Sequence, residues 1–156
     1  MSTGRYKIPV SVLVIVHTPD LHVLLIERVR PPGQWQSVTG SLEPDETPLA
    51  AAVREVEEET GLVYPPEAFR DWRYTNRFRI RGPWRPMYAP EVTHNTEHVF
   101  SLCVPAPVEV RLAPGEHTAQ RWLPWREAAE RAFSWSNRDA ILRLAEDLGL
   151  TPPLPR

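Results

Sequence analysis

The stretch GSLEPDETPLAAAVREVEEETGL, residues 40–62, decides the fold. Thr47-Pro48 reads as a helix start: the hydroxyl can accept an orphan N–H at the N-cap, and proline in the first turn gives up a donor the helix does not use. Gly61 is the matching stop, because glycine takes the left-handed conformation at a helix C-terminus without a Cβ penalty. On a wheel of about 100° per residue with Glu55 at zero, Leu49, Ala52, Val53, Val56 and Thr60 fall between about 60° and 160°, the face expected to pack on a sheet. Glu58, Glu55 and Glu59 fall at about 300°, 0° and 40°, an arc beside that face, and Glu57 points away at about 200°. Like charges at i,i+3 and i,i+4 destabilise a helix. A divalent cation among them would explain the crowding, and hard oxygen ligands suit Mg²⁺, with Mn²⁺ as the alternative. A solvated acidic face is the competing reading, and composition alone favours it.

Outward from this stretch, the 156 residues carry 18 basic and 20 acidic side chains, a formal net charge of −2. That balance argues against a general nucleic-acid or membrane-surface binder, which relies on excess Lys and Arg. The total conceals a polarised chain. Glu43 to Glu59 holds seven acids and one base, whereas Arg70 to Arg85 holds six arginines and one acid. The length fits one domain spanning 1–156 with a substantial core. Cys103 is alone, so no intrachain disulfide forms and a reducing cytoplasm is the expected compartment. Its apolar strand context leads us to expect a buried thiol. The longest apolar run, Val10 to Val16, is far short of the ~20 residues of a membrane helix, and the first residues lack the features of a signal peptide.

Ile8–Val16 and His22–Glu27 read as paired strands joined by the turn Thr18-Pro19-Asp20. A loop through Pro31, Pro32 and Gly33 leads to Trp35–Gly40, and further strands are expected at Phe69–Ile80, Glu97–Val104 and His117–Leu123. Ser136 is expected to cap a final helix, Asn137–Leu148, with Ala140, Ile141, Leu144, Ala145 and Leu148 on one side. The proline-rich tail, 151–156, reads as loose. No residue pattern marks an interface, so oligomeric state stays open.

The full spacing settles the competition over the acidic helix. Gly40, Glu46, Arg54-Glu55-Val56, Glu58-Glu59 and Gly61-Leu62 match every specified position of the Nudix box, G-x5-E-x7-R-E-U-x-E-E-x-G-U with U aliphatic, nine positions over 23 residues. The chain therefore resembles Nudix hydrolases. The resemblance implies an α/β class fold, an α/β/α sandwich around a mixed sheet, and Mg²⁺-dependent hydrolysis of a diphosphate linkage. It implies Glu55 and Glu59 as metal ligands, Glu58 as a further ligand or base, Arg54 as the group orienting the carboxylates, and Gly40 keeping the loop tight; the general base stays open among Glu58, Glu55 and a residue outside the box. Glu46 is expected to hold the box together.

Flanking segments carry the resemblance further, toward the branch of the family that acts on a pterin triphosphate in the folate pathway. They are Tyr6-Lys7-x-Pro9-Val10-Ser11, Trp35 to Ser41, Ala89-Pro90-x-Val92-Thr93-x-Asn95-Thr96-Glu97, Glu116-His117 and Ser134 to Arg138. The likeness implies release of pyrophosphate from dihydroneopterin triphosphate, leaving the monophosphate. It implies Glu116 as a metal ligand from outside the box, and Lys7, Arg28, Thr39, Phe78, Arg79, Ile80, Arg81 and Ser134 as substrate contacts. The partner is then a small-molecule triphosphate, not a nucleic acid or a membrane. Each contact has a plainer reading: Lys7 and Arg28 flank strands where charge is common, and Thr39 suits any strand. Trp35, Trp122 and Trp135 are expected as packing or rim aromatics. His94, His98 and His117 are not needed as ligands. A nucleoside or deoxynucleoside triphosphate is the alternative substrate, because guanine resembles a pterin. A binding module without catalysis is a third reading, disfavoured by the intact glutamates.

Overall fold

Strand β1 (Val10–His17) is buried along almost all its length, as expected of a β-branched strand covered on both faces. It forms the axis of the architecture in a computed structural model that describes residues 6–150. On one side β6 (His94–Cys103) runs parallel to it, from Val10 opposite Thr96 to His17 opposite Cys103. Strand β5 (Phe69–Arg79) lies antiparallel beyond β6, with a register shift between Asp71 and Thr75. On the other side β2 (His22–Arg28) meets β1 only at the hairpin end, His17 opposite Val23. Where the two diverge, β4 (Val38–Ser41) pairs with β1, from Ser11 opposite Ser41 to Val14 opposite Val38. Strands β3 (Trp35–Gln36) and β7 (His117–Pro124) both pair with β2. Among the described residues this is a mixed seven-stranded sheet.

Helices cover both faces, giving the expected α/β/α sandwich. Helix α1 (Pro48–Thr60) lies over one core, built on Val12, Val14, Val16, Val38, Val56 and Phe100. Helices α2 (Trp125–Arg131) and α3 (Trp135–Asp147) lie over the other, built on Leu13, Ile15, Val23, Val99, Ile141 and Leu144. The alternation Val12/Leu13/Val14/Ile15 thus supplies both cores from one strand.

Trp35–Gly40 forms two strands, because at Ser37 the chain changes partner from β2 to β1. There the Ser37 N–H donates to Asn137 Oδ1 (2.8 Å), and Asn137 Nδ2 donates to Ser37 Oγ (3.0 Å). The last helix is capped by Ser134, whose Oγ accepts the Asn137 N–H at 3.1 Å, and Ser136 is buried within its first turn. Cys103 is exposed, because it is the last residue of β6, just past the stretch Val99–Leu102 that is covered on both faces. Helix α2 was not anticipated; it is one short element without a capping side chain and buries only Ala128 and Ala129. The tail 151–156 lies outside the described residues.

Candidate active site

The ends of α1 form as the local sequence dictates. Thr47 Oγ1 accepts the Ala50 N–H at 3.1 Å, and Gly61, at φ 77°, donates its N–H to the Glu57 carbonyl at 2.8 Å. The buried arc is wider than the apolar pattern suggests. It includes Ala51, Glu55 and Glu59 as well as Ala52, Val56 and Thr60. Two of the three clustered glutamates are therefore inside the helix–sheet interface, at 9% and 5% exposure for Glu55 and Glu59. Glu58 stays at the solvent edge.

Arg54 organises the cluster. Its Nε and Nη2 form a fork on Glu46 Oε2 and Oε1, both at 2.8 Å. Nη1 reaches Glu55 Oε2 and Glu58 Oε1, both at 3.1 Å, and Nη2 also donates to the Ser41 carbonyl at 3.1 Å. Bidentate guanidinium–carboxylate pairing is strong and directional. It holds the Glu46 carboxyl below its ordinary range, against the opposing effect of burial, and raises the already high value of Arg54. Glu46 thus braces the loop against the helix, the role the sequence suggested. Gly40 lies directly under the Glu55 carboxylate: a Cβ there would stand 2.7 Å from Oε1 and overlap Oε2 and Cδ. No side chain fits at position 40 while Glu55 keeps its place.

Burial, and after it the hydrogen bond and charge of Glu55, push the Glu59 carboxyl well above its ordinary range; the charge of Glu116 adds to this. Burial also raises Glu55, opposed by the Glu59 hydrogen bond and by Arg54. Glu59 Oε1 is buried with no hydrogen-bond partner. Two adjacent buried carboxyl groups, one of them with an unpartnered oxygen, suit a cation better than they suit an apolar interior. Among the described residues no group of three or more His, Cys, Asp or Glu already converges on one point. A cation here would rest on Glu55 and Glu59 and take remaining ligands from water and phosphate, as Mg²⁺ commonly does.

Glu116 is exposed on the turn before β7, its carbonyl accepting the Val29 N–H at 2.9 Å; its charge is felt at both Glu59 and His117. The next residue, His117, was set aside by sequence reasoning. It is buried, its Nε2 lies 4.0 Å from Glu59 Oε1, and its Nδ1 has no partner. Burial lowers its pKa, favouring the neutral ring. Adjacency to Glu116 was the one signal that could have brought it forward.

The expected substrate contacts divide. Arg28 lies opposite His117 in the sheet, with Nε on the Arg30 carbonyl (3.1 Å). Thr39, opposite Leu13, donates to the Val12 carbonyl at 2.9 Å. Lys7 is exposed, its N–H on the Met87 carbonyl at 2.8 Å. Ser134 is occupied as the α3 cap. Arg79, Ile80 and Arg81 line an open cavity of ≈ 600 Å³ with Gly82, Arg85 and Thr93, although Ile80 is itself 5% exposed. Phe78 is half-buried and meets Trp135 edge to face, ring centroids 6.5 Å apart. A second cavity of ≈ 600 Å³ lies beside the acidic helix, between Arg54, Glu57 and Glu58 and the segment Arg111–Pro114.

Comparison with known proteins agrees with this geometry. The chain is 44% identical over 144 residues to the dihydroneopterin triphosphate diphosphatase of Escherichia coli K12, covering 90% of this chain and 95% of that one. It is 39% identical over 142 residues to the protein of that name from Haemophilus influenzae, covering 88% and 87%. The structure of the E. coli dihydroneopterin triphosphate pyrophosphohydrolase superposes with a TM-score of 0.84 at 41% identity, over 91% of this chain and 98% of that one. Residues 7–144 match the NUDIX domain model, and with its box residues assembled around a buried carboxylate pair, the chain belongs to the Nudix hydrolase family.

Proposed function

We propose that this protein hydrolyses dihydroneopterin triphosphate to dihydroneopterin monophosphate and pyrophosphate with Mg²⁺, a cytoplasmic step of folate biosynthesis. The observation that carries the reading is similarity along nearly the whole chain to relatives of that name. Motif similarity alone would give the reaction class and leave the substrate open.

Glu55 and Glu59 would hold the cation, which when bound neutralises phosphate oxygens and lowers the pKa of an attacking water. Arg54 keeps Glu55 and Glu58 aimed, and Gly40 leaves the room that lets Glu55 close on the loop. Glu58, at the solvent edge, presents a carboxylate able to accept a proton from incoming water. Glu116 extends the acidic site from the β7 side. Lys7, Arg28, Arg79 and Arg81 offer positive charge to a polyphosphate, whose self-repulsion otherwise resists a nucleophile.

The test is product analysis with Mg²⁺. Pyrophosphate and the monophosphate are expected, with kcat/KM for dihydroneopterin triphosphate above that for dGTP and dATP. Orthophosphate release, or preference for a nucleotide, overturns the reading.

A further inference from the structure

The registers align a row of polar side chains across four strands on the α3 face of the sheet. Ser41 of β4 lies opposite Ser11 of β1, Ser11 opposite Glu97 of β6, and Glu97 opposite Asn76 of β5. Ser11, Glu97 and Asn76 are 7%, 5% and 4% exposed. Asn76 Nδ2 donates to Glu97 Oε1 at 3.3 Å, and the Ser136 hydroxyl of α3 lies close enough to stabilise the same carboxylate. Beside this row Asn95, 4% exposed, donates from Nδ2 to Ser11 Oγ at 2.8 Å, and its Oδ1 has no partner. Among the described residues no cationic side chain bears on Glu97, and burial pushes its carboxyl up.

A carboxylate buried without a cation is costly. A plain structural role, tying β6 to α3 through Ser136, accounts for neither the orphaned Asn95 oxygen nor the spare acceptor capacity of Glu97, whose two oxygens offer about four lone-pair sites to two donors. The row starts one residue along β4 from Gly40, on the opposite face of the sheet from Glu55. Gly40, beneath Glu55, sits on β4 between Thr39 and Ser41, whose side chains take the α3 face. At the row's outer end Phe78 lies opposite Asn95, and Trp135, 47% exposed and adjacent to Ser136, meets it edge to face.

We propose that Glu97, with Asn95, Asn76 and Ser136, is the specificity site that reads the 2-amino-4-oxo edge of the substrate ring, flanked by Phe78 and Trp135. The carboxylate accepts side by side from the 2-amino group and the adjacent ring N–H; an amide donates to the oxo group; Asn95 Oδ1 takes a further ring N–H. Guanine presents the same donor–donor–acceptor edge. Adenine places an acceptor where the ring N–H should be, and a buried carboxylate facing a lone pair is rejected. This inference rests on the proposed pyrophosphohydrolase reading and adds the residues that choose the ring.

The test is Glu97→Gln, measured for dihydroneopterin triphosphate, dGTP and dATP with Mg²⁺, and for binding of phosphate-free dihydroneopterin in EDTA. We expect kcat/KM for the pterin and dGTP to fall about 100-fold or more, with dATP changed less than about threefold. Dihydroneopterin binding should be lost in Glu97→Gln and kept in Glu59→Gln, which separates ring recognition from the metal site. Unchanged pterin preference in Glu97→Gln overturns the inference while leaving the substrate reading intact. Wild-type preference for dGTP, lost in the variant, overturns the substrate reading and upholds the ring site. Should Glu97→Gln not fold, Asn95→Ser serves: a KM for the pterin raised about tenfold is expected, and an unchanged KM overturns the inference.

Discussion

Gly40→Ala isolates the geometry of the Glu55 carboxylate. Gly40 is not among the glycines with positive φ, so alanine suits its backbone and the only obstacle is space. The new methyl carbon would lie 2.7 Å from Glu55 Oε1 and nearer still to the other carboxylate atoms. Ordinary carbon–oxygen contact needs about 3.4 Å, so the carboxylate has to retreat by about 1 Å or more. That retreat strains the 3.1 Å hydrogen bond from Arg54 and carries Glu55 away from Glu59. Misplacement by about 1 Å costs on the order of 100-fold in rate, equivalent to about 2.7 kcal/mol of transition-state stabilisation. Stability should fall by only about 1 kcal/mol, because the end of a side chain yields and no backbone must move. Pyrophosphate release at saturating and limiting substrate, with thermal unfolding alongside, separates the two effects. Activity within about threefold of wild type at unchanged Mg²⁺ dependence would refute the claim that Gly40 exists to admit Glu55.

Three further outcomes follow from the same structure. Glu59→Gln should keep the fold, lose most activity, and lose the rise in melting temperature expected for the wild-type protein on adding Mg²⁺, by mass action on the folded state; an undiminished thermal shift would place the cation elsewhere. Thr47→Ala removes the side-chain cap of α1 and should cost about 1 kcal/mol, a melting temperature lower by about 3 °C, read by circular dichroism; no change would deny the cap a role. Because burial raises the Glu97 carboxyl above its ordinary value of 4.5, its contribution to stability is complete below that value and is lost as pH rises through the raised one. Urea unfolding at about pH 5 and about pH 8 should therefore show wild type losing ground to Glu97→Gln at the higher pH; parallel behaviour would contradict the burial cost.

Much of the site was legible because its parts are local. Caps at Thr47 and Gly61 depend on residues within one turn, and the crowding of Glu55, Glu58 and Glu59 follows from helical pitch alone. What pitch cannot tell is how far a helix sinks into its sheet. The apolar pattern put the buried arc beside the glutamates, whereas Gly40 and Val38 let α1 settle close enough to bury Glu55 and Glu59 and leave Glu58 outside. The small residue that makes this possible lies 15 positions upstream of Glu55. The division of 35–40 into two strands was equally invisible, since it depends on β1 and β2 diverging to admit β4. The cap of α3 is Ser134 rather than Ser136 because the helix starts at Trp135, which puts Ser136 inside its first turn.

By itself the sequence determined the acidic helix, its ends, the alternation of β1 and the family to which the spacing belongs. These are short-range properties, set by pitch, pleat and capping chemistry. Tertiary structure alone decided which glutamates are desolvated, why position 40 must be glycine, that His117 lies against Glu59, and that Ser41, Ser11, Glu97 and Asn76 form one row. Those facts depend on strand register and on the depth of helix–sheet packing. Both are fixed by burial of the whole core rather than by any residue's neighbours in the chain.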